Sequence, residues 1–546
     1  MVADFETTTD VEDCRVWAWG ICNIENLDFK YGNDIESFFD EISKYTKLKL
    51  WFHNLKFDGE FIFSYLFNAG YKHTEEKKLK AKEFSTLISD MGQFYSIKIN
   101  YDGSIIEIFD SLKVLPFTVE QIGKSFSITE QKLEIDYTEK REKGHILTSE
   151  EVEYLKHDCI IVAKALKILH NQDMQKMTTG ANALYNFKKT IGAKQFDYWF
   201  PPPYYDSDIR KAYKGGFTYL NPKFSNKEIG KGIVLDVNSL YPSVMYYNSL
   251  PYGEGIYFDG KYEYDALYNA YIQKIRCQFK IKENKIPTIQ IKNNLSFIPT
   301  QYLTSTDGEQ VCLSLSNVDE ALFFAHYDVF DLEYIDGWKF KSAKGIFKDY
   351  IDYWNGQKVK ATIEGNKPMR QIAKLMLNSL YGKFASRTQI ASKVPYMQDG
   401  IIKYRTTELK DKAPVYVPVG IFITAWARYK TITSAQKVYD RFIYADTDSL
   451  HLVGDDIPPE LEISDTELGK WKHESTFSKA KFLRQKSYIE VIDNKLNITC
   501  AGMPDRCYDN VTFDNFTLGA SYAGKLAPKH VSGGIVLTDT PFTIKC

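Results

Sequence analysis

The sequence predicts a protein of several domains that combines strands and helices. The chain has 546 residues, more than one hydrophobic core usually accommodates, and its 44% hydrophobic and 26% charged residues are typical of soluble globular proteins. Strand-like runs surround Asp4, Asp236 and Asp446. Helical periodicity is present in residues 150–166 and 370–384. We therefore expect domains that contain both kinds of element.

Three features exclude other classes of protein. No apolar stretch approaches the roughly 20 residues that span a bilayer, so we expect no membrane segment. The first residues, MVADFETTTD, contain neither a basic nor an apolar signal region, so we expect no secretion. The 8 cysteines are scattered without a C-x-x-C pair, which argues against zinc and for free thiols in a reducing compartment.

The charge is unevenly distributed, although the net charge of −2 does not indicate a nucleic-acid-binding protein. Residues 358–383 contain six Lys or Arg against one Glu, and residues 470–488 again contain six against one. Such basic zones can hold phosphates. A solvated helix face is the alternative interpretation of either run.

Two aspartates lie close together in the segment YADTDSL, residues 444–450. In an extended strand, Asp446 and Asp448 would point to the same face, where two ionised carboxylates repel unless a cation lies between them. Oxygen-only ligation suits Mg²⁺. The alternative is an Asp-Thr-Asp turn at the tip of a hairpin, since Asp and Ser are ordinary turn residues.

Four further carboxylates and a tyrosine lie in the N-terminal third. Asp4 and Glu6 are two apart on a predicted strand, and Asp58 lies in an aromatic run. Tyr154 and Asp158 share one face of a predicted helix. The four acids could form a two-metal cage for phosphodiester hydrolysis, in which the phenol orients a water molecule. Taken singly, each acid could instead be a helix cap or a surface charge.

The order D-x-E, N-x-x-x-D and Y-x-x-x-D resembles the three exonuclease motifs of the DEDD family, in the tyrosine variety of the proofreading domains of replicative DNA polymerases. The resemblance implies that the four acids bind metal ions, that Tyr154 positions the attacking water and that Lys132 assists. It also implies that eight residues hold a frayed 3′ end: Thr7, His53, Asn54, Phe57, Phe61, Ser111, Leu112 and Tyr137.

Asp236 lies near the end of a predicted buried strand in GIVLDVNSLYPSVM, residues 232–245. It supplies a third carboxylate for Asp446 and Asp448, which favours two-metal phosphoryl transfer. The two segments resemble the D-x-x-S-L-Y-P and Y-x-D-T-D signatures of family B DNA polymerases. The resemblance implies that Asp236 and Asp448 bind both ions, that Val237 adds its carbonyl, and that Asp446 is a weaker ligand or an orienting acid. Tyr241 would exclude a ribose 2′-hydroxyl; the alternative is a core tyrosine.

Four polar residues form one stripe of the predicted helix 370–384: Arg370, Lys374, Asn378 and Tyr381. The stripe suits a nucleoside triphosphate, whereas an amphipathic helix would explain the cations but not the tyrosine. The segment resembles the K-x-x-x-N-S-x-Y-G fingers motif of family B. The resemblance implies that Lys374 holds the phosphates and Tyr381 the nascent base pair, with Lys360 as a second candidate phosphate ligand.

Two short motifs extend the resemblance. RQKSYIEV resembles the K-x-Y motif, in which Lys486 and Tyr488 would hold the primer strand. AYKGGFTYL resembles the Y-x-G-G motif, in which Tyr213, Gly215 and Gly216 would contact single-stranded template. The glycines would allow the backbone to approach a phosphate closely.

The resemblance runs from DFETTTD to the terminal FTIK and indicates the protein-primed branch of family B, the phi-29-type phage DNA polymerases. It implies an α+β fold, with a ribonuclease-H-like 3′–5′ exonuclease domain followed by a right-hand polymerase domain. The expected segments are an exonuclease domain at 1–177, a palm at 178–247 and 417–500, terminal protein region 1 at 248–347, fingers at 348–385, terminal protein region 2 at 386–416, and a thumb at 501–546.

By the same resemblance, we expect a monomeric DNA-directed DNA polymerase that replicates a phage genome in the host cytoplasm. It would start on a terminal protein, displace a strand and proofread. Its other partners would be template and primer DNA and deoxynucleoside triphosphates. Its cofactor would be Mg²⁺, two ions per active site, with Mn²⁺ as a substitute.

Three rival classes fit less of the chain. A standalone nuclease leaves residues 232–488 without a role. A reverse transcriptase or RNA polymerase disagrees with Tyr241 and with the fingers motif. A catalytically silent single-strand-binding protein disagrees with the intact acids.

Overall fold

The computed structural model describes residues 1–137, 139–291 and 301–545. Both helices and strands build these ranges, in agreement with the expected α+β class. Residues 292–300 of the first expected insertion and Cys546 of the expected thumb lie outside them. Within the described ranges no helix is long and apolar enough to cross a bilayer, and the cysteines are unpaired thiols.

The N-terminal region contains a single mixed sheet and four helices. Its elements are β1 (Val2–Thr7), β2 (Val16–Cys22), β3 (Phe29–Gly32), α1 (Ile35–Ser43), β4 (Lys47–Phe52), α2 (Leu55–Asn68), β5 (Lys72–His73), β6 (Glu83–Ile88), β7 (Phe94–Tyr101), β8 (Ser104–Asp110), α3 (Val119–Ser125) and α4 (Ser149–Asn171). The sheet order is β3-β2-β1-β4-β8-β7-β6-β5. The predicted strand around Asp4 and the predicted helix 150–166 are thereby confirmed as β1 and as part of α4.

The start of α4 is fixed by a capping box. The Thr148 hydroxyl accepts a hydrogen bond from the Glu151 amide, and the Glu151 carboxylate accepts one from the Thr148 amide at 2.9 Å. From this start, α4 packs against β1 and β2. Its inner face therefore meets the acids of β1.

In the middle of the chain, helices alternate with strands that belong to several sheets. Its elements are α5 (Thr179–Ile191), α6 (Ala193–Trp199), α7 (Asp206–Ile209), β9 (Thr218–Leu220), β10 (Glu228–Ile229), β11 (Gly232–Val237), α8 (Leu240–Tyr247), β12 (Leu250–Asp259), β13 (Ala270–Ile281), β14 (Ile289–Ile291), β15 (Gln301–Leu303), β16 (Val311–Ser316), α9 (Asn317–His326), β17 (Tyr327–Ala343), α10 (Lys348–Ile363), α11 (Lys367–Ser379), α12 (Tyr381–Phe384), β18 (Gln389–Ile390), β19 (Lys393–Gln398), β20 (Ile401–Thr406) and β21 (Lys410–Asp411). Strands β12, β17, β13 and β16 form one sheet in that order, whereas β19 and β20 form a separate hairpin.

The last part of the chain completes a central sheet. Its elements are α13 (Val417–Lys437), β22 (Phe442–Asp446), β23 (Ser449–Val453), β24 (Trp471–Phe477), β25 (Lys479–Arg484), β26 (Ser487–Ile492), β27 (Lys495–Cys500), β28 (Ser521–Val531) and β29 (Gly534–Thr543). The central sheet is antiparallel, with the order β24-β11-β23-β22-β9. Asp236 pairs with Ser449, so β11 brings Asp236 beside the turn between β22 and β23.

A buried arginine ties three parts of this region together. Arg428 on α13 donates to both carboxylate oxygens of Asp319 on α9, at 2.7 and 2.8 Å. It also donates to the carbonyls of Lys214 and Gly215, each at 2.9 Å. The Arg428 side chain is only 2% exposed, so these bonds compensate a charge removed from water.

Arg428→Met should lower the free energy of unfolding by about 3–5 kcal/mol, because the Asp319 carboxylate would lose its cation in a buried position. The double variant Arg428→Met/Asp319→Leu should recover most of that loss. Chemical denaturation measures both. The control is Arg276→Met, which opens the exposed pair with Glu333 and should change stability by less than about 1 kcal/mol. Equal losses in Arg428→Met and the control would contradict the structural role of this pair.

Candidate active sites

Three carboxylates meet at the N-terminal sheet. One oxygen from each of Asp4, Glu6 and Asp158 lies within 4.8 Å of the others. Burial, followed by repulsion from Asp158, raises the pKa of Asp4 to about 7. Burial also raises the pKa of Glu6 and of Asp158. Asp158 Oδ1 is buried and has no hydrogen-bond partner among the described residues. This cluster of oxygens, one of them unpaired, fits a divalent cation.

Asp58 lies beside this cluster, on α2. It is buried, and burial followed by the charge of Asp4 raises its pKa well above the usual range. All four acids line one cavity of about 730 Å³. The structure therefore brings the predicted acids together, three in direct reach of one another and the fourth adjacent.

The predicted tyrosine and lysine flank Asp158. Lys132 forms an ion pair with Asp158 and donates to the Tyr154 hydroxyl at 3.1 Å. The hydroxyls of Tyr154 and Tyr137 are 2.6 Å apart. The phenol of Tyr154 thus lies between a cation and a second hydroxyl, next to the acids, where it can orient a water molecule.

The eight residues predicted to hold a 3′ end divide into two layers. Five of them line the same cavity: Thr7, His53, Asn54, Phe57 and Tyr137. The other three do not. Phe61 is buried and packs against Phe57, Ser111 is buried and its hydroxyl lies 2.9 Å from His53 Nδ1, and the Leu112 amide donates to Asp110. These three therefore lie next to the lining residues, and their contact with a 3′ end stays a prediction.

A second cavity, of about 780 Å³, lies at the edge of the central sheet. Asp236, Val237 and Asp448 line it, and the amide of Val237 donates to the carbonyl of Asp448 at 2.8 Å. Burial, followed by repulsion from Asp448, raises the pKa of Asp236 to about 7, and burial raises that of Asp448. These two acids form the second candidate metal site.

The predicted extended strand through Asp446 and Asp448 is wrong, and the hairpin turn describes the backbone. Strand β22 ends at Asp446, and Thr447 has a φ of 63°, which reverses the chain. The two carboxylates consequently separate. Asp446 accepts from Lys486 Nζ at 2.8 Å and from the Thr218 hydroxyl at 3.0 Å, while Asp448 lines the cavity. The Asp446 carboxylate is thus paired with the ammonium group of Lys486.

Gly216 packs against this turn. A Cβ at Gly216 would lie 2.5 Å from the Thr447 hydroxyl, so this glycine is required by the turn. The expected approach of the Gly216 backbone to a phosphate stays a prediction. Gly215 has open space at its Cα, and Tyr213 is partly buried.

The motif with Lys486 and Tyr488 lies on β25 and β26. Lys486 is in the tight turn between these strands, with a φ of 56°, and its ammonium is bound to Asp446. Tyr488 stacks on Phe482 with ring centroids 4.9 Å apart. A primer phosphate bound by Lys486 would therefore share the lysine ammonium group with Asp446.

The predicted helix 370–384 is interrupted. Helix α11 ends at Ser379, and Tyr381 begins the short α12. The predicted stripe nevertheless faces one cavity, because Arg370, Lys374, Asn378 and Tyr381 all line it. Tyr381 stacks on Tyr241 with ring centroids 4.0 Å apart, which forms an aromatic wall beside Asp236 and Asp448.

Comparison with known proteins identifies the family. The family model described as DNA polymerase type B, organellar and viral, matches residues 40–147 and 134–464. The chain belongs to the type B DNA polymerases. The polymerase is 48% identical over 571 residues to the DNA polymerase of Bacillus phage phi29, covering 99% of this chain and 98% of that one. It is 33% identical to the DNA polymerase of Streptococcus phage Cp-1, covering 99% and 98%.

Solved structures agree over the whole length. An orthorhombic crystal form of Phi29 DNA polymerase has a TM-score of 0.95 and 47% identity, covering 100% of this chain and 99% of that one. Phi29 DNA polymerase complexed with primer-template DNA and incoming nucleotide substrates has a TM-score of 0.94, 47% identity and the same coverage. The predicted phi-29-type DNA polymerase is confirmed, and exonuclease activity is typical of this family. The family generally uses divalent metal ions.

The predicted phosphate ligand Lys360 lies apart from the second cavity, and its contact with a phosphate stays a prediction. Its side chain is 67% exposed, lies 4.0 Å from Glu364 and does not line the cavity of the polymerase. Lys358 lines it instead, and burial, followed by the charges of Arg370 and Lys374, lowers its pKa. Side chains that are two positions apart on a helix point in directions about 200° apart. Lys358 and Lys360 therefore lie on opposite faces of their helix.

Other residues that line the two cavities belong to none of the motifs recognised in the sequence. Glu474 on β24 lines the second cavity, and its charge contributes to the raised pKa of Asp236 and Asp448. In the first cavity, the C-terminal hairpin β28–β29 supplies an apolar wall, and Arg506 lies beside it. Lys358 and Glu474 belong to the two basic zones of the sequence, where charge alone did not separate them from their neighbours.

Lys358→Ala should reduce kcat/KM for deoxynucleotides by about 10- to 100-fold, because a charge-assisted hydrogen bond to a phosphate contributes roughly 1.5–3 kcal/mol. The loss should come mainly through KM. Steady-state single-nucleotide addition measures it. Lys360→Ala is the matched control on the same helix and should change kcat/KM by less than about twofold. Equal effects of the two substitutions would contradict the placement of Lys358.

Magnesium should stabilise the polymerase more at pH 8 than at pH 6. The pKa of Asp4 and of Asp236 is about 7 in the folded protein against 3.8 ordinarily, so metal-free stability falls as the pH rises from 3.8 to about 7 and stays low above that. Bound cations remove that repulsion. Thermal unfolding of chelated protein, with and without Mg²⁺, measures the difference. The increase in Tm caused by Mg²⁺ should be smaller in Asp4→Asn/Asp236→Asn. An equal increase in Tm at both pH values would contradict the assignment of the effect to these two acids.

Proposed function

We propose that the polymerase replicates a phage genome with two independent metal-dependent centres, one for nucleotide addition and one for 3′–5′ digestion of a primer end. The observation that carries this proposal is the presence of two separate sets of buried or partly buried carboxylates beside two different sheets, in cavities of about 780 and 730 Å³. Each set concentrates negative charge that only a cation can compensate at neutral pH.

At the synthetic centre, Asp236, Asp448 and the carbonyl of Val237 would hold two Mg²⁺ ions, or Mn²⁺ as a substitute. The ions, when bound, stabilise charge on the attacking and leaving oxygens of phosphoryl transfer. Lys374, Arg370 and Lys358 bind the triphosphate with charge-assisted hydrogen bonds. Asn378 and Tyr381 hold the sugar and the nascent base pair.

An aromatic residue, Tyr241, and an acidic residue, Asp446, also contribute to this centre. Tyr241, held by its stack on Tyr381, blocks the space below the sugar and so excludes a 2′-hydroxyl. Asp446 orients Lys486, whose position at the turn after β25 suits a primer phosphate. Tyr488 supports that turn, and Tyr213 with Gly215 would contact the template.

At the hydrolytic centre, Asp4, Glu6, Asp58 and Asp158 would hold the metal ions. Tyr154 orients the attacking water, because its hydroxyl is fixed between Lys132 and Tyr137. His53, Asn54, Phe57 and Thr7 receive the end of the strand. This centre would remove mismatched nucleotides after synthesis and so proofread the product.

We assign the predicted segments as functional units. The eight-stranded sheet lies within the exonuclease domain 1–177, the central sheet within the palm 178–247 and 417–500, and helices α10–α12 within the fingers 348–385. The sheet of β12, β17, β13 and β16 lies within terminal protein region 1, 248–347. The β19–β20 hairpin lies within terminal protein region 2, 386–416, and β28–β29 within the thumb 501–546.

The second insertion would arch over the DNA, force the template strands apart and retain the enzyme during strand displacement. Locally basic composition and the length of the insertion support this role, because a passive connector would be shorter. Replication would start on a terminal protein, with the polymerase monomeric in the host cytoplasm. Transfer of labelled deoxyadenylate to a purified terminal protein tests the priming, and no transfer would contradict it.

Asp236→Ala and Asp448→Ala should each reduce nucleotide addition by at least about 10³-fold while single-strand digestion is retained, because metal-ion catalysis contributes several kcal/mol. Asp4→Ala/Asp58→Ala should give the reverse pattern. Primer extension and end-labelled digestion, with and without Mg²⁺, measure the two activities. The control Asp455→Ala removes an exposed acid paired with Lys231 and should change neither. Equal loss of both activities in any of these variants would contradict two independent centres.

A further inference from the structure

A loop between α3 and α4 carries two side chains of the first cavity. Its described residues, 126–137 and 139–148, form neither a helix nor a strand. Lys132 and Tyr137 lie on this loop and line the cavity. The Tyr137 hydroxyl is 2.6 Å from the hydroxyl of Tyr154 on α4. The position of the loop backbone therefore decides where these two side chains lie relative to the acids.

A buried arginine of the loop binds the backbone beside Tyr137. The Arg141 side chain is 4% exposed. Its Nη1 donates to the carbonyls of Asp136 and Glu139, at 2.8 and 3.0 Å. Asp136 immediately precedes Tyr137, so the guanidinium of Arg141 fixes the backbone from which the Tyr137 ring projects.

Arg141 is itself held by α4 and by β2. Its Nε donates to Glu151 Oε1 at 2.7 Å, and the Glu151 side chain is 6% exposed. His145 Nε2 lies 2.7 Å from the other carboxylate oxygen of Glu151. The guanidinium also lies over the Trp17 ring, 4.4 Å from its centroid. Arg141 thus joins the loop to the first turn of α4, and Tyr154 lies one turn further along this helix.

The Glu151 carboxylate stays ionised in these surroundings. Burial raises its pKa, but hydrogen bonds from Arg141 and His145 outweigh burial and hold the pKa at about 2. The two opposite charges are therefore paired and hydrogen-bonded out of water, and removal of either one would leave the other uncompensated. A planar guanidinium has enough donors to bind the carboxylate and two carbonyls at once, whereas an ammonium group lacks this geometry.

We propose that Arg141 and Glu151 are positioning residues for the hydrolytic centre. They fix the carbonyl of Asp136 and, through it, the side chain of Tyr137. The Tyr137 hydroxyl in turn holds the Tyr154 phenol in the orientation that directs water at the scissile phosphate. Both residues lie outside the two cavities, so they act through the loop. This inference rests on the proposed function of the hydrolytic centre.

The first experiment measures digestion of an end-labelled single strand in a single turnover with Mg²⁺. Arg141→Met should lower the maximal rate about 10- to 100-fold, because a small displacement near the reacting atoms misorients the attacking water. The half-saturating concentration of the strand should change less than the maximal rate. Nucleotide addition by the same preparation should stay within about twofold of the unchanged enzyme, since distant sites act independently. A maximal rate of digestion equal to that of the unchanged enzyme would overturn the proposal.

Arg141→Lys separates positioning from charge pairing, and it decides the question if Arg141→Met does not fold. A lysine can neutralise Glu151 but cannot also bind both carbonyls. We expect Arg141→Lys to keep its Tm within about 3 °C of the unchanged enzyme. It should nevertheless digest the strand at least about fivefold more slowly. Digestion at the rate of the unchanged enzyme would overturn the proposal.

Lys30→Met is the control from the same region of the chain. It opens the ion pair of Lys30 with Glu41 on α1, and neither residue lines the first cavity. Digestion by this variant should change by less than about twofold. A loss equal to that in Arg141→Met would mean that any broken ion pair of this region slows digestion, which would overturn the proposal.

A double-variant cycle tests whether Arg141 acts through Tyr137. Tyr137→Ala removes the side chain that the loop places against Tyr154. If the effect passes through this ring, Arg141→Met should lower the maximal rate by less than about twofold when Tyr137→Ala is already present. Two losses that multiply would mean that Arg141 acts by another route, and the proposal would be wrong.

Failure of the hydrolytic centre itself gives a different result. If digestion persists in Asp4→Ala/Asp58→Ala, the centre is wrongly assigned and the positioning role fails with it. If digestion requires these acids but both Arg141 variants digest like the unchanged enzyme, the centre stands and only the positioning role of Arg141 fails.

Discussion

Buried negative charge is the constraint on which both centres depend. Each centre places carboxylates in a partly desolvated cavity, and burial is the main reason that the pKa of Asp4 and of Asp236 rises to about 7. The sheets tolerate this arrangement because their strands are paired by backbone hydrogen bonds and covered by packed helices, which fix the acids against their mutual repulsion. Nearby cations such as Lys132 reduce the repulsion only in part. The stability of the folded chain is thereby connected to divalent ions, which the family generally uses.

The turn at Thr447 distributes that charge between two tasks. Because its φ is positive, Asp446 and Asp448 point to different surroundings although they are two residues apart. One acid holds Lys486, and the other lies opposite Asp236. The turn is itself fixed by the Thr431 hydroxyl, the Phe217 carbonyl and the close packing of Gly216. A glycine motif and a catalytic motif are thus parts of one local structure.

The sequence predicted the acids well because each set is carried by short, regular elements. Period and spacing locate Asp4 and Glu6 on a strand, Tyr154 and Asp158 on a helix, and Asp236 near the end of a strand. Other features depend on geometry that the pattern does not contain. The choice between Lys358 and Lys360 depends on which face of α10 meets α11, and the direction of Asp448 depends on one backbone angle.

Contacts between distant segments were beyond prediction from local pattern. Phe61, Ser111 and Leu112 match a motif, yet the packing of α2 and β8 puts them behind the cavity lining. The contacts of Glu60 with Tyr404 and His530 join residues hundreds of positions apart, and no periodicity or short motif connects them. Only the tertiary fold determines which of the many polar residues of the surface find a partner.

The apolar wall that the C-terminal hairpin adds to the first cavity has a consequence for synthesis of the protein on the ribosome. The acids of β1 are translated well before Leu537, which completes the wall opposite them. At about 5–20 residues per second, roughly half a minute to two minutes separate these events. During that interval the nascent chain has its acids but not an enclosed pocket. The order of translation therefore delays assembly of the first cavity until the C-terminal hairpin has been made.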